Sequence, residues 1–153
     1  MGRAIADRLG VPFFELDALH HGPGWSAATP DELRARVKPI VASDAWVIDG
    51  GYRGKLGDLV VGNADLVVWL DLPMRVWLPR LLRRTVARIV RKEVLWSGNR
   101  ESLRGALIGR EALIPWTLRH YRRRRRVYPV ELGRYNLVRL QTTAEVNRFL
   151  RAL

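Results

Sequence analysis

Near the start of the chain Ile5, Ala6 and Leu9 recur at helical spacing and Gly10 follows as a C-cap, so residues 3–9 are predicted to be helical. Val11 to Leu16 is a short apolar run that reads as a buried strand, and Gly22-Pro23-Gly24 closes the stretch after it in a turn. Thr29-Pro30-Asp31-Glu32 combines a cap residue, a proline at the first helical position and a glutamate at the third. That signature opens a helix running to about Ala42. Trp46 to Ile48 is a strand entering a turn at Asp49 to Arg53, and Ala64 to Leu70 is a longer apolar strand that ends at Asp71 with Pro73 behind it.

From Met74 to Lys92 the period becomes helical, with Pro79 either in the first turn or at a kink. One stripe is Arg80, Arg83, Arg84, Arg88 and Arg91; another is Leu78, Leu82, Val86, Ile89 and Val90, which makes a basic amphipathic helix. Residues 95–113 are weakly periodic and rich in Gly and Arg, as a mobile loop or a small helical insertion would be. The segment from Pro115 to Tyr128 contains the consecutive arginines Arg122 to Arg126. Asn136 to Leu140 is a strand, and Thr142 to Glu145 is a second capping box, opening a terminal helix with Val146, Phe149, Leu150 and Leu153 on one face.

Apolar strands alternating with helices predict an α/β domain spanning residues 1–153, with a parallel sheet covered on both sides. Ligands bind such sheets beyond the carboxyl ends of the strands. Asp17, Asp49 and Asp71 each follow a predicted strand, so all three are expected to reach a single crevice, although an aspartate there also serves simply to cap a turn.

Charge sharpens this picture. The formal net charge is +12, and between Arg75 and Arg126 there are 16 Lys/Arg against 3 Asp/Glu. A polyanion is the natural partner, and a phosphorylated small molecule, a nucleic acid or an anionic membrane surface all supply one. The arginines are not interleaved with aromatics as a nucleic-acid stacking platform would be, and the basic helix has only Trp77 as an interfacial anchor, so the small molecule is preferred. The chain has no cysteine and no apolar stretch long enough to span a bilayer, and its first residues lack a secretory signal. The expectation is a cytoplasmic protein without a membrane partner. His20 and His21 are adjacent, point different ways and lack evident co-ligands, which argues against a metal site. Trp25 either lines an acceptor pocket or closes its turn.

Asp49-Gly-Gly-Tyr-Arg53 is similar to the D-G-[FY]-P-R element of adenylate kinases. Asp71-Leu-Pro73, followed by Arg80 and Arg84 nine and thirteen positions on, is similar to that family's D-x-P and arginines. The order L-D-A-L, P-G-W, W-V-I-D-G, W-L-D-L-P and Asn99-Arg-Glu101 resembles the bacterial adenylate-kinase-related proteins of the topology modulation type. The resemblance implies a three-layer P-loop NTPase fold of the nucleotide-kinase kind, using ATP and Mg²⁺ to phosphorylate a small nucleotide or nucleoside-like acceptor. The alternative is a basic nucleic-acid-binding protein acting on DNA topology.

Under that resemblance Asp17 faces the acceptor, with Trp25 beside it, and Asp49 holds a Mg-bound water. Arg53 grips an acceptor phosphate. Arg80 lies over the ATP base or its phosphates and Arg84 reaches the phosphates during transfer. A lid is expected at 93–114, with Arg88, Arg119 and Arg122 closing on phosphate. Proline is replaced by Tyr52, and no G-x-x-x-x-G-K-[ST] loop occurs anywhere. The first strand and Walker A loop, roughly fifteen residues, are therefore expected to be missing, leaving a truncated and impaired kinase. Without that central strand its two neighbours would present inner edges about 10 Å apart, twice the usual spacing.

Overall fold

The computed structural model describes residues 1–107 and 112–153. The chain divides into two compact units, one formed by residues 1–65 and 144–153 and the other by residues 66–143.

In the first unit α1 (Gly2–Leu9) ends at Gly10, whose left-handed φ of 66° suits a glycine C-cap and whose N–H bonds the Ala6 carbonyl. β1 (Phe13–Glu15) pairs in parallel with β2 (Val47–Asp49), Phe13 opposite Val47 and Glu15 opposite Asp49. β1 is shorter than the apolar run suggests because Leu16 already begins α2 (Leu16–His20). Leu16 is fully buried with Leu33 and Val37 at the centre of this unit, joined by Ala28 and Leu56. Leu33 and Val37 are one helical turn apart on α3 (Pro30–Val41), whose capping box forms as predicted. Thr29 accepts from the Glu32 N–H, and Glu32 accepts from the Thr29 N–H at 2.8 Å. The short α4 (Arg53–Leu56) brings Leu56 into the same core.

In the second unit β3 (Val67–Leu70) pairs in parallel with β4 (Leu137–Leu140), Val67 opposite Leu137 and Leu70 opposite Leu140. The Asp71 N–H extends the ladder to the Leu140 carbonyl at 2.9 Å. Between these strands run α5 (Met74–Val90), α6 (Leu103–Leu107) and α7 (Leu113–Leu132). The segment after α5 folds back on itself through a Val94–Arg100 antiparallel bridge around a tight turn at Trp96–Gly98, then enters α6. A small helical insertion is thus what the weak periodicity encodes; residues 108–111 of the expected lid lie outside the described residues. Finally, α8 (Thr143–Arg151) starts one residue after the predicted cap Thr142.

The architecture is mixed α/β with parallel strand pairing, as the alternating pattern predicts. Among the described residues the strands make two two-stranded sheets, β1 with β2 and β3 with β4. No described strand hydrogen-bonds to both pairs. α5 also turns a different face inward from its apolar stripe. Its buried residue is Thr85, flanked by half-buried Leu78, Leu81 and Arg88, while Leu82, Val86 and Val90 stay exposed.

Candidate nucleotide site

The second unit contains a cleft of about 540 Å³, within the range typical of small-molecule sites. The end of β3 supplies Trp69 and Asp71, α5 supplies Trp77, Arg80 and Arg84, and α7 supplies Tyr121, Arg124, Arg125 and Tyr128. The walls are aromatic pairs: the Tyr128 ring meets Trp69 edge-on at 5.5 Å, and Tyr121 lies 5.4 Å from Trp77. Planar apolar walls bordered by four guanidiniums suit a ligand that is flat at one end and polyanionic at the other.

Asp71 is the buried acid of this cleft, 3% exposed. One carboxylate oxygen forms an ion pair with Arg125, whose Nε lies 3.0 Å away, and the other accepts from Arg139 through Nε at 3.0 Å and through Nη2. The Arg139 guanidinium in turn lies 4.5 Å from the Trp69 ring centroid. Two guanidiniums thus compensate one desolvated carboxylate, the arrangement a buried charge requires.

The arginine run divides by direction. At 3.6 residues per turn, Arg119, Arg122, Arg123 and Arg126 fall within an arc of about 100°. All four are exposed. Arg124 and Arg125 point away from that arc and line the cleft. Of the expected phosphate ligands, Arg80 and Arg84 therefore meet at the cleft, with Arg80 Nη2 donating to Thr143 Oγ1 at 3.1 Å. Arg119 and Arg122 sit on the outer side of α7. Arg88 faces inward along α5 and is held by Glu101 at 3.0 Å. Arg124 and Arg125, not among the expected residues, line the cleft in their place, and helical phase within the run is the signal that singles them out. Of the aromatic walls, Trp69 opens the W-L-D-L-P stretch, whereas Trp77, Tyr121 and Tyr128 carried no motif in the sequence.

The remaining candidates belong to the first unit. Asp17 opens α2 and accepts a 2.6 Å hydrogen bond from the Tyr52 hydroxyl, which also lies 3.5 Å from His21 Nε2. Burial and the Asp17 carboxylate push the Tyr52 phenol well above its ordinary value, so it stays a donor. The His20 ring packs on Tyr52 at 4.6 Å, and Trp25 meets His21 edge-on at 5.4 Å. Trp25 holds a left-handed backbone, φ 62°, unusual for a bulky residue. Arg53 is paired with Asp58 at 2.8 Å.

Asp49 ends β2 against the first turn of α1, where a Cβ on Gly2 would stand 3.1 Å from the Asp49 Cβ and 2.6 Å from the Phe13 ring. Glycine at position 2 permits that approach. Gly50 is equally constrained, with φ 141° and a notional Cβ 2.7 Å from Leu16. Among the described residues no cluster of three or more His, Asp or Glu side chains could hold a metal ion.

Compared with known proteins, the chain matches no family model, no curated protein and no solved structure.

Proposed function

We propose that the chain is a nucleotide-binding, kinase-like phosphotransferase related to adenylate kinase, with a P-loop NTPase type of fold. In this reading the cleft of the second unit takes ATP, and the γ-phosphate passes to a small nucleotide or nucleoside-like acceptor. One observation carries the reading: Arg80 and Arg84, chosen from their spacing after Asp71, line one aromatic-walled cleft of nucleotide size. The aromatic walls would receive the base, and the guanidiniums would neutralise charge on the phosphates. Mg²⁺ would supply further charge neutralisation on the phosphate oxygens.

This chain carries no glycine-lysine phosphate loop, whose backbone N–H groups side-chain arginines do not replace. The expected behaviour is nucleotide binding with weak phosphoryl transfer. The test is thermal unfolding with and without ATP and Mg²⁺. Saturating ATP at 100 times Kd should stabilise by about 2.7 kcal/mol, and Arg84→Ala should abolish the effect. Absence of any ATP effect on the parent chain overturns the reading.

The outer face of α7 favours a second reading, nucleic-acid binding. Four exposed arginines on one arc, with no acid in α7 before Glu131, form a sequence-independent phosphate contact surface. Four phosphate contacts predict a slope of log K against log salt of about −3.6 on duplex DNA. A slope of that size without an ATP effect would select this reading over the first.

A further inference from the structure

Arg125 is the most tightly held cation in the cleft that still has donors to spare. Its Nε lies 3.0 Å from the buried Asp71 carboxylate in an ion pair, and its Nη1 donates to the Tyr121 hydroxyl at 3.2 Å. A guanidinium has five N–H donors in a fixed plane, so the ion pair and one hydrogen bond set its orientation and leave N–H groups for a ligand. Asp71 is itself fixed from the other side by Arg139, on β4, and by the backbone ladder to Leu140. A flexible side chain on α7 is thereby anchored to the rigid sheet.

We propose that Asp71 is the positioning residue of this cleft, holding Arg125 so that its remaining N–H groups receive a phosphate of the ligand. The proposal rests on the cleft being a polyphosphate site. It also assigns Asp71 an effect opposite to simple electrostatics. A carboxylate beside an anion site repels the anion, so removing its charge would strengthen binding if Asp71 did no more than lower the local potential. If Asp71 positions Arg125, removing its charge weakens binding, because the guanidinium must then be ordered at the ligand's expense.

The experiment titrates ATP and, separately, inorganic tripolyphosphate into the parent chain, Asp71→Asn, Arg125→Ala and the double variant. Asp71→Asn should lose about ten-fold or more in affinity for both probes, the worth of a charge-assisted hydrogen bond. In the Arg125→Ala background the same substitution should change nothing further, since the effect passes through Arg125. The Arg125 side-chain Nε order parameter should be high in the parent chain and fall in Asp71→Asn. Unchanged or tighter binding by Asp71→Asn, or an undiminished effect without Arg125, overturns the proposal.

Should Asp71→Asn fail to fold, Tyr121→Phe removes the second tether without touching the buried charge. It should cost a smaller factor that again vanishes in Arg125→Ala, and an effect that persists there overturns the proposal. Tripolyphosphate binding without ATP binding would discard the nucleotide reading while the positioning role stands. Binding of neither probe by the parent chain overturns both.

Discussion

Tyr52 occupies the position at which the adenylate kinase element has proline, and its hydroxyl is committed to Asp17. Tyr52→Phe keeps the ring packed on His20 but leaves a half-buried carboxylate without its donor. It should destabilise the chain by about 1.5 kcal/mol in urea unfolding, the low end for a hydrogen bond to a charged group. Beside it, the buried His20 is held below the ordinary imidazole value of 6.5, first by desolvation and then by Lys55 and His21, with Asp17 opposing and Arg36 assisting. In the unfolded chain His20 takes up its proton at the ordinary value, so the unfolded state binds more protons between the folded and ordinary values. Its contribution is therefore complete above about pH 6.5 and is lost as pH falls below it. The unfolding midpoint should drop between pH 7 and pH 5, and His20→Gln should flatten that slope. Glu32 titrates in a separate, lower window, because the Thr29 N–H and hydroxyl hold its carboxyl below 4.5.

Elements with a local chemical signature were legible in the sequence. The capping box at Thr29 formed at its predicted place, and Thr29→Ala should cost about 1 kcal/mol, read as a lowered urea midpoint at unchanged slope. Gly10 ended α1 for the reason its type suggests, since only a left-handed residue closes that turn cheaply. Where tertiary packing decides, sequence reading went astray. Leu16 left the strand to fill the core between Leu33 and Val37, and α5 buried Thr85 in preference to Val86. Periodicity could not foresee either, because both depend on which neighbours arrive. For the site, spacing after Asp71 found Arg80 and Arg84, whereas a run of identical arginines gave no sequence signal until helical phase separated them. That separation is measurable. Replacing Arg122, Arg123 and Arg126 with glutamine should reduce any DNA salt slope by about 2.7 while leaving ATP protection unchanged.

Across the whole molecule, charge and architecture divide together. The second unit holds 18 Lys/Arg against 5 Asp/Glu, and the first holds 9 against 10, so the entire surplus of positive charge belongs to residues 66–143. The second unit also holds every residue lining the cleft. Hydrogen exchange with ATP present should therefore slow amides of β3, α5 and α7, with the β1–β2 pair unaffected; protection confined to β1 and β2 would relocate the nucleotide. The two sheets have separate ladders and the first unit has its own core at Leu16, Leu33 and Val37.

The arginine run has one consequence that concerns inheritance more than binding. Insertion or loss of a single codon just before Arg122 would turn the following helix by a little over a quarter of a revolution, which ordinarily exchanges one set of side chains for another. Here the positions of Arg124 and Arg125 would still be filled by arginine after a slip of one residue either way. Repetition of one amino acid makes these two places indifferent to a one-residue slip, while Tyr128 further along the same helix has no such spare copy beside it.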